Sequence, residues 1–124
     1  MSAPNLVNPS SVYGKTVSVN LTTTDATSLL DNAAASNKAL KVNTLIVSNV
    51  NGTTASTVTI ALYSAATLGG TATEICSGVI VPAGASLIVT DKTTTFYMVE
   101  NTSLAATAGT ANYLKVTASY EEIM

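Results

Sequence analysis

The stretch "GVIVPAGASLIVTDKTTTFYMVENTSL", residues 78–104, places three β-type runs within 27 positions. The runs are rich in Val, Ile, Phe and Tyr, which suit the pleated, half-buried surface of a sheet. The segments "PAG" at 82–84 and "DKTTT" at 91–95 separate the runs and contain turn-forming residues. Such short connections join antiparallel strands, because parallel neighbours need a crossover of a dozen or more residues. The stretch therefore predicts consecutive antiparallel hairpins.

The same pattern continues on both sides of this stretch. Together the β-type runs cover residues 16–21, 28–31, 39–49, 57–63, 74–81, 86–91, 96–100 and 113–123. About eight strands at this spacing, without a convincing helix, predict one all-β domain, an antiparallel β-sandwich that is jelly-roll-like. Residues 33–38 are predicted to form a helical turn or a loop, and the small-residue segment 101–112 is predicted to be a loop.

The run 39–49 is the strongest strand signal. Strict alternation puts Leu40, Val42 and Ile46 on one face, and Leu45 and Val47 on the other. Because the run is apolar on both sides near its end, it predicts a central strand of a sheet.

The first 15 residues differ from the rest in composition. Their prolines and their Asn and Ser residues predict an extended N-terminal arm, followed by the sandwich domain over 16–124. A frayed terminus is the alternative interpretation. The predicted interface residues of the arm are Pro4, Leu6, Val7, Pro9, Val12 and Tyr13.

The composition excludes several classes of partner. Only 10% of the residues are charged, the net charge is -2, and the five lysines are scattered, so no nucleic-acid interface is predicted. The chain has no apolar run long enough to span a membrane and no visible signal peptide, which predicts folding in a cytoplasm. The 21 threonines instead predict a surface made polar by hydroxyl groups, which are less costly to desolvate than charges.

The chain also lacks most of the residues that carry chemistry. It has no histidine and one cysteine, Cys76, which removes the commonest general base and most zinc sites. Glu121 and Glu122 are adjacent on a strand and point to opposite faces, so they cannot form a catalytic pair. No enzymatic activity, catalytic residue, cofactor or metal ligand is predicted. A calcium site near Asp25 and Asp31, or within 91–101, is an alternative, although neither stretch matches a dedicated calcium loop.

Three tyrosines define a possible interaction face. Tyr63, Tyr97 and Tyr113 all alternate against the main aliphatic stripes, so they are predicted to be exposed on a sheet face. Aromatic platforms of this kind bind sugars in many sandwich domains, which makes a carbohydrate-binding module an alternative function. Tyrosine is also common on sheets as simple packing.

Three segments carry a family resemblance. "LKVNTLIVSNVNGTTASTVTIALY" (40–63), "GVIVPAGASLIVTDKTTTFYMVENTSL" (78–104) and "ANYLKVTASYEEI" (111–123) resemble small virion structural proteins of tailed bacteriophages, especially cyanophages. The resemblance is a pattern of strands and turns over about residues 40–123, and the first 39 residues do not contribute to it.

The resemblance implies a non-enzymatic β-sandwich assembled into the virion. Within that class, a capsid decoration (cement) protein is the favoured expectation. Such a protein sits on the capsid surface as a homotrimer, between subunits of the major capsid protein, after folding in the host cytoplasm. A tail, neck or fibre-associated virion protein is the alternative.

Overall fold

The computed structural model describes residues 4–124 and contains nine strands. The strands are β1 (Val12–Asn20), β2 (Thr27–Asn32), β3 (Ala39–Asn49), β4 (Ser56–Ala65), β5 (Gly69–Val81), β6 (Ser86–Thr90), β7 (Phe96–Met98), β8 (Thr102–Ala108) and β9 (Leu114–Ile123). No helix that could cross a membrane occurs between residues 4 and 124.

The strands form two antiparallel sheets packed face to face, which confirms the predicted all-β sandwich. In the first sheet the order is β1-β9-β3-β6, and β7 also pairs with β3; in the second it is β2-β8-β4-β5. The first strand pairs with the last, β2 with β8, β3 with both β6 and β7, and β4 with β5. This nested pairing is the jelly-roll arrangement, with β6 and β7 acting as one interrupted strand.

The central strand of the first sheet is β3, as predicted, but strict alternation along it was the wrong expectation. Asn43 is an extra residue that shifts the register against β9. Such a bulge turns every later side chain to the opposite face. As a result Leu45 and Val47 are fully buried on the same side as Leu40 and Val42. Ile46, which was predicted to share the face of Leu40, lies on the outer side.

The predicted loop at 101–112 was also wrong in part, because it contains β8, a central strand of the second sheet. Its short side chains fit between closely packed neighbours: Ala106 pairs with Ile60, and Ala105 pairs with Ala61. Adjacent residues point to opposite faces, yet Ala105 and Ala106 are both buried. A strand that is buried on both faces shows no polar alternation, so the usual strand signal is missing.

Several boundaries also differ from the predicted ones. Strand β1 begins at Val12 rather than at Thr16, and β5 begins at Gly69 rather than at Glu74. Thr67, Leu68 and Gly70 have left-handed backbone angles that close the β4–β5 hairpin tightly. A Cβ atom at Gly70 would collide with Ser64, so glycine is required there. The residues between β2 and β3 form a loop without a helix.

Two buried asparagines connect the sheets where the chain crosses from one to the other. Asn32, at the end of β2, donates its amide hydrogens to the carbonyls of Lys38 (3.0 Å) and Met98 (2.9 Å). Asn49, at the end of β3, donates to the carbonyls of Thr54 and Val81, both at 3.0 Å. Met98 and Val81 each end a strand of the opposite sheet. Each side-chain amide therefore links the end of its own strand to the loop that crosses between the sheets and to a strand end in the opposite sheet.

The variant Asn49→Ala tests this connection. Without the amide, the carbonyls of Thr54 and Val81 lose their donor, and an unsatisfied buried group costs about 1–3 kcal/mol. We expect the free energy of unfolding, measured by urea titration and circular dichroism, to fall by about 2–4 kcal/mol. The matched variant Asn20→Ala, on exposed β1, should change it by less than about 0.5 kcal/mol. Equal effects for the two variants would contradict this role of Asn49.

Candidate interaction surfaces

Residues 4–11 lie outside both sheets but are more compact than an extended arm, whereas positions 1–3 of the predicted arm lie outside the described part of the chain. The backbone carbonyl of Asn5 accepts a hydrogen bond from the N–H of Asn8, and its side chain accepts one from Val7. These bonds close a turn that leaves the side chain of Val7 93% exposed. Leu6 is about half exposed beside it. The turn therefore presents an apolar tip on the surface.

The remaining predicted arm residues are divided between this segment and the first sheet. Pro4 and Pro9 lie beside the turn, where a shallow pocket also includes Asn37 and Met124. Val12 and Tyr13 belong to β1, where they pair with Ile123 and Glu122. Both remain about half exposed, so they are surface residues of the sandwich itself.

The three predicted tyrosines do not share a face. Tyr63 lies on β4 of the second sheet, and Tyr97 lies on β7 of the first. Tyr113 precedes β9 and packs against the hydrophobic core. Of these three side chains, only that of Tyr97 is exposed, whereas those of Tyr63 and Tyr113 are half-buried. The structure therefore does not assemble these residues into one aromatic platform.

The outer side of the first sheet instead carries a broad array of hydroxyl groups. Residues that pair across antiparallel strands share a face, so rows of partners can be followed from β1 to β6. One row contains Ser18, Thr117, Ile46 and Ile88. We call this surface the hydroxyl face; its members are Thr16, Ser18, Thr44, Ser48, Ser86, Thr117 and Ser119.

Hydrogen bonds between hydroxyl groups fix parts of this face. Ser18 and Thr117 are joined at 3.3 Å, and Ser48 and Ser86 at 3.2 Å. Lys115 is the charged residue of these rows, opposite Ser48 and Asn20. The sequence showed the excess of threonine without showing that one sheet collects the hydroxyls. The signal available in the sequence was that these hydroxyl residues occupy alternate positions in β1, β3 and β9.

The carboxylates mostly stabilise loops. Asp31 accepts the backbone N–H of Thr67 at 2.8 Å, and Glu100 accepts that of Asn37 at 2.8 Å. Over residues 4–124, His, Cys, Asp and Glu form no group of three that could hold a metal ion. The calcium alternative near Asp25 and Asp31 therefore gains no cluster of ligands from the fold.

Glu121 and Glu122 lie on opposite sides of the first sheet, as predicted. Glu121 shares an outer row with Lys41 and accepts the side-chain amide of Asn43 at 2.9 Å. Glu122 is on the inner side, where its carboxylate lies 3.3 Å from the ammonium of Lys15 and 3.4 Å from that of Lys38. These ion pairs stand at the mouth of a cleft of about 270 Å³ between β1 and β2, lined also by Val17, Leu29 and Tyr120.

Two side chains have shifted acidities with clear causes. Burial raises the pKa of the Cys76 thiol, which packs against the core and is correspondingly less reactive. Hydrogen bonds from the side chain and the backbone N–H of Thr93 lower the pKa of the Asp91 carboxyl. Asp91 thereby holds the turn between β6 and β7.

A scan against protein-family models finds no match to this chain. A sequence search of curated proteins finds no significant match either.

The Asp91 turn predicts a pH-dependent contribution to stability. The folded-state pKa lies below the unfolded value of about 3.9, so the contribution is present above that value and disappears as the pH falls through the folded pKa. We expect Asp91→Asn to melt below the wild type at pH 7, with the two melting temperatures converging below about pH 4. Melting followed by circular dichroism measures both. A constant difference across this range would contradict a role for the charged carboxylate.

Proposed function

We propose that this protein is a capsid decoration (cement) protein of a tailed bacteriophage. It binds on the outside of the head between subunits of the major capsid protein, acts as a homotrimer at three-fold positions, and stabilises the expanded shell. The hydroxyl face is the observation that supports this proposal most strongly. A weakly charged surface that is rich in hydroxyl groups is suited to being covered by another protein.

The energetics of the hydroxyl face favour burial against a partner. A hydroxyl group costs much less to remove from water than a charged group, and a partner's polar atoms can satisfy it. Ser18, Thr117, Ser48 and Ser86 already share hydrogen bonds across strands, which limits the ordering cost of binding. Ile88, which is 63% exposed, and the half-buried Ile46 add apolar contact area within the same row. The rows that contain Thr16 and Ser18 can therefore be buried without enclosing an unpaired charge, while Lys115, opposite Ser48, lies at the margin of the contact.

Repetition converts modest contacts into strong retention. Copies that are linked as a trimer bind neighbouring shell sites as an intramolecular event, so their affinities reinforce one another. The rigid sandwich contributes because few groups have to be ordered on binding. The exposed apolar tip formed by Leu6 and Val7, which is not part of the hydroxyl face, provides a second contact.

The decisive experiment mixes the purified protein with emptied, expanded heads and with isolated tails of its phage. Cosedimentation with heads, together with an increased resistance of those heads to heat, supports the proposal. Retention on tails without retention on heads would replace it with a tail or neck role. Retention on glycan beads would favour the carbohydrate-binding alternative.

A charge placed on the hydroxyl face should weaken this binding. Ser119→Glu would bury an uncompensated carboxylate at the contact, because its cross-strand neighbours Thr16 and Thr44 are uncharged. We expect at least about a tenfold loss of affinity for expanded heads, or about 1.4 kcal/mol. Thr71→Glu, which adds the same charge to an exposed position on β5, is the matched control and should bind as the wild type does. If both variants keep full binding, the hydroxyl face is not the contact surface.

Removal of the N-terminal turn tests the second contact. Deletion of residues 2–10 spares Ser11, which exchanges backbone hydrogen bonds with Met124 and extends the β1–β9 pair. We expect an unchanged melting temperature and reduced occupancy on heads, because the apolar tip is lost. Quantitative gel analysis of sedimented heads measures occupancy, and full occupancy by the truncated protein would exclude a role for this segment.

A further inference from the structure

The four edges of the two sheets differ in how well they are protected from further pairing. Natural edge strands avoid unwanted pairing by being short, bulged, interrupted or charged. Strand β2 is short and bulged near Leu29, and β5 has register shifts near Ile75 and Gly78. The β6–β7 edge is interrupted by the turn at 91–95. Strand β1 alone pairs with its neighbour in a continuous register over its full length.

The free edge of β1 offers a regular ladder of backbone groups. Ser11 exchanges two hydrogen bonds with Met124, and Leu21 donates to Leu114, so the odd-numbered residues between them bond to β9. The even-numbered residues direct their N–H and C=O groups away from β9. These residues are Val12, Gly14, Thr16, Ser18 and Asn20. Within residues 4–124, β1 pairs with β9 and with no other strand, so its opposite edge is open to pairing.

We propose that this edge is a self-association site at which β1 of one copy pairs with β1 of a second copy. The two strands run antiparallel about a two-fold axis at Thr16. The first sheets of both copies then form one continuous sheet across the interface. A two-fold contact of this kind uses the same surface patch twice, so that surface must be complementary to itself.

The sequence of β1 satisfies that requirement in this register. Centring on Thr16 opposes Val12 to Asn20 and Gly14 to Ser18, which uses every outward residue and forms about ten ladder hydrogen bonds. Centring one residue earlier would oppose the two Lys15 side chains directly, which is unfavourable. In the proposed register Lys15 faces Val17 of the second copy. Its ammonium remains beside Glu122 of its own chain.

The inner side of β1 also gains from this pairing. Val17 and Val19 are half-buried against the hydrophobic core, and Val17 also lines the cleft between β1 and β2. The second copy places Tyr13 opposite Val19 and the aliphatic stem of Lys15 opposite Val17. Pairs of an aromatic with a β-branched residue are favourable across antiparallel strands, and the exposed Tyr13 loses its contact with water. Pairing therefore covers apolar surface in addition to forming the ladder.

This contact is independent of the proposed capsid role and is compatible with it. Three-fold positions on a hexagonal lattice are related in pairs by local two-fold axes. Pairing through β1 could thus join neighbouring trimers on a shell, while a different surface holds each trimer together.

The test compares Ser18→Pro with Ser18→Ala. Both variants lose the Ser18 hydroxyl, but only proline removes the outward N–H, and an edge strand tolerates proline at such a position. Sedimentation velocity is run from about 10 µM to about 1 mM, the range of weak specific self-association. We expect the average mass of the wild type and Ser18→Ala to rise with concentration, and the dissociation constant of Ser18→Pro to be at least about tenfold larger.

Hydrogen exchange of the wild-type protein provides a second readout that needs no variant. The amides of Gly14, Thr16 and Ser18 should gain protection as concentration rises, whereas the β1–β9 ladder should not change. Identical sedimentation of the two variants, or unchanged exchange at these amides, would overturn the proposal. Binding to heads is measured separately, so a failure of self-association and a failure of the capsid role remain distinguishable.

Discussion

The buried side-chain amides of Asn32 and Asn49 hold the two sheets together at the points where the chain crosses between them. A jelly-roll chain crosses repeatedly between its sheets, and each crossover exposes backbone carbonyls that lose their regular partners. Asn32 satisfies two such carbonyls where the chain crosses after β2, and Asn49 satisfies two where it crosses back after β3. Both side chains are almost completely buried, so no water replaces them readily. An asparagine suits each position because its amide group has two N–H donors, one for each carbonyl. The two asparagines thereby link the sheets near both ends of β3.

Because buried side chains hold the two sheets together, the outer surfaces of the sandwich are available for contacts with other proteins. Glu100 and Asp31 hold loops at one end, and Asp91 holds the turn that interrupts the β6–β7 edge. The outer side of the first sheet carries rows of hydroxyl groups, and β1 forms one edge of this sheet with a continuous register. These features suit the structural role proposed for this protein, in which shape and a low desolvation cost matter more than reactive groups.

Much of this architecture follows from the sequence, and the differences have identifiable causes. The alternation over residues 113–123 correctly places Leu114, Val116 and Ala118 in the core, because β9 is regular there. The faces of β3 could not be assigned, because the bulge at Asn43 depends on pairing with a strand nearly 80 positions away. Strand β8 was missed because its alanines are selected by close packing on both faces, which removes periodicity. The candidate surfaces were predicted least well, since Tyr63, Tyr97 and Tyr113 are separated by a topology that local patterns do not encode.

We propose that this sandwich is a structural component whose faces are covered by neighbouring subunits of a virus particle. A cryo-electron microscopy reconstruction of the intact phage particle would locate it. We expect density for the sandwich on the outside of the head, at three-fold positions, with the hydroxyl face of the first sheet against the shell. Density for the sandwich only in the tail, or a particle that lacks this chain altogether, would rule out the decoration role.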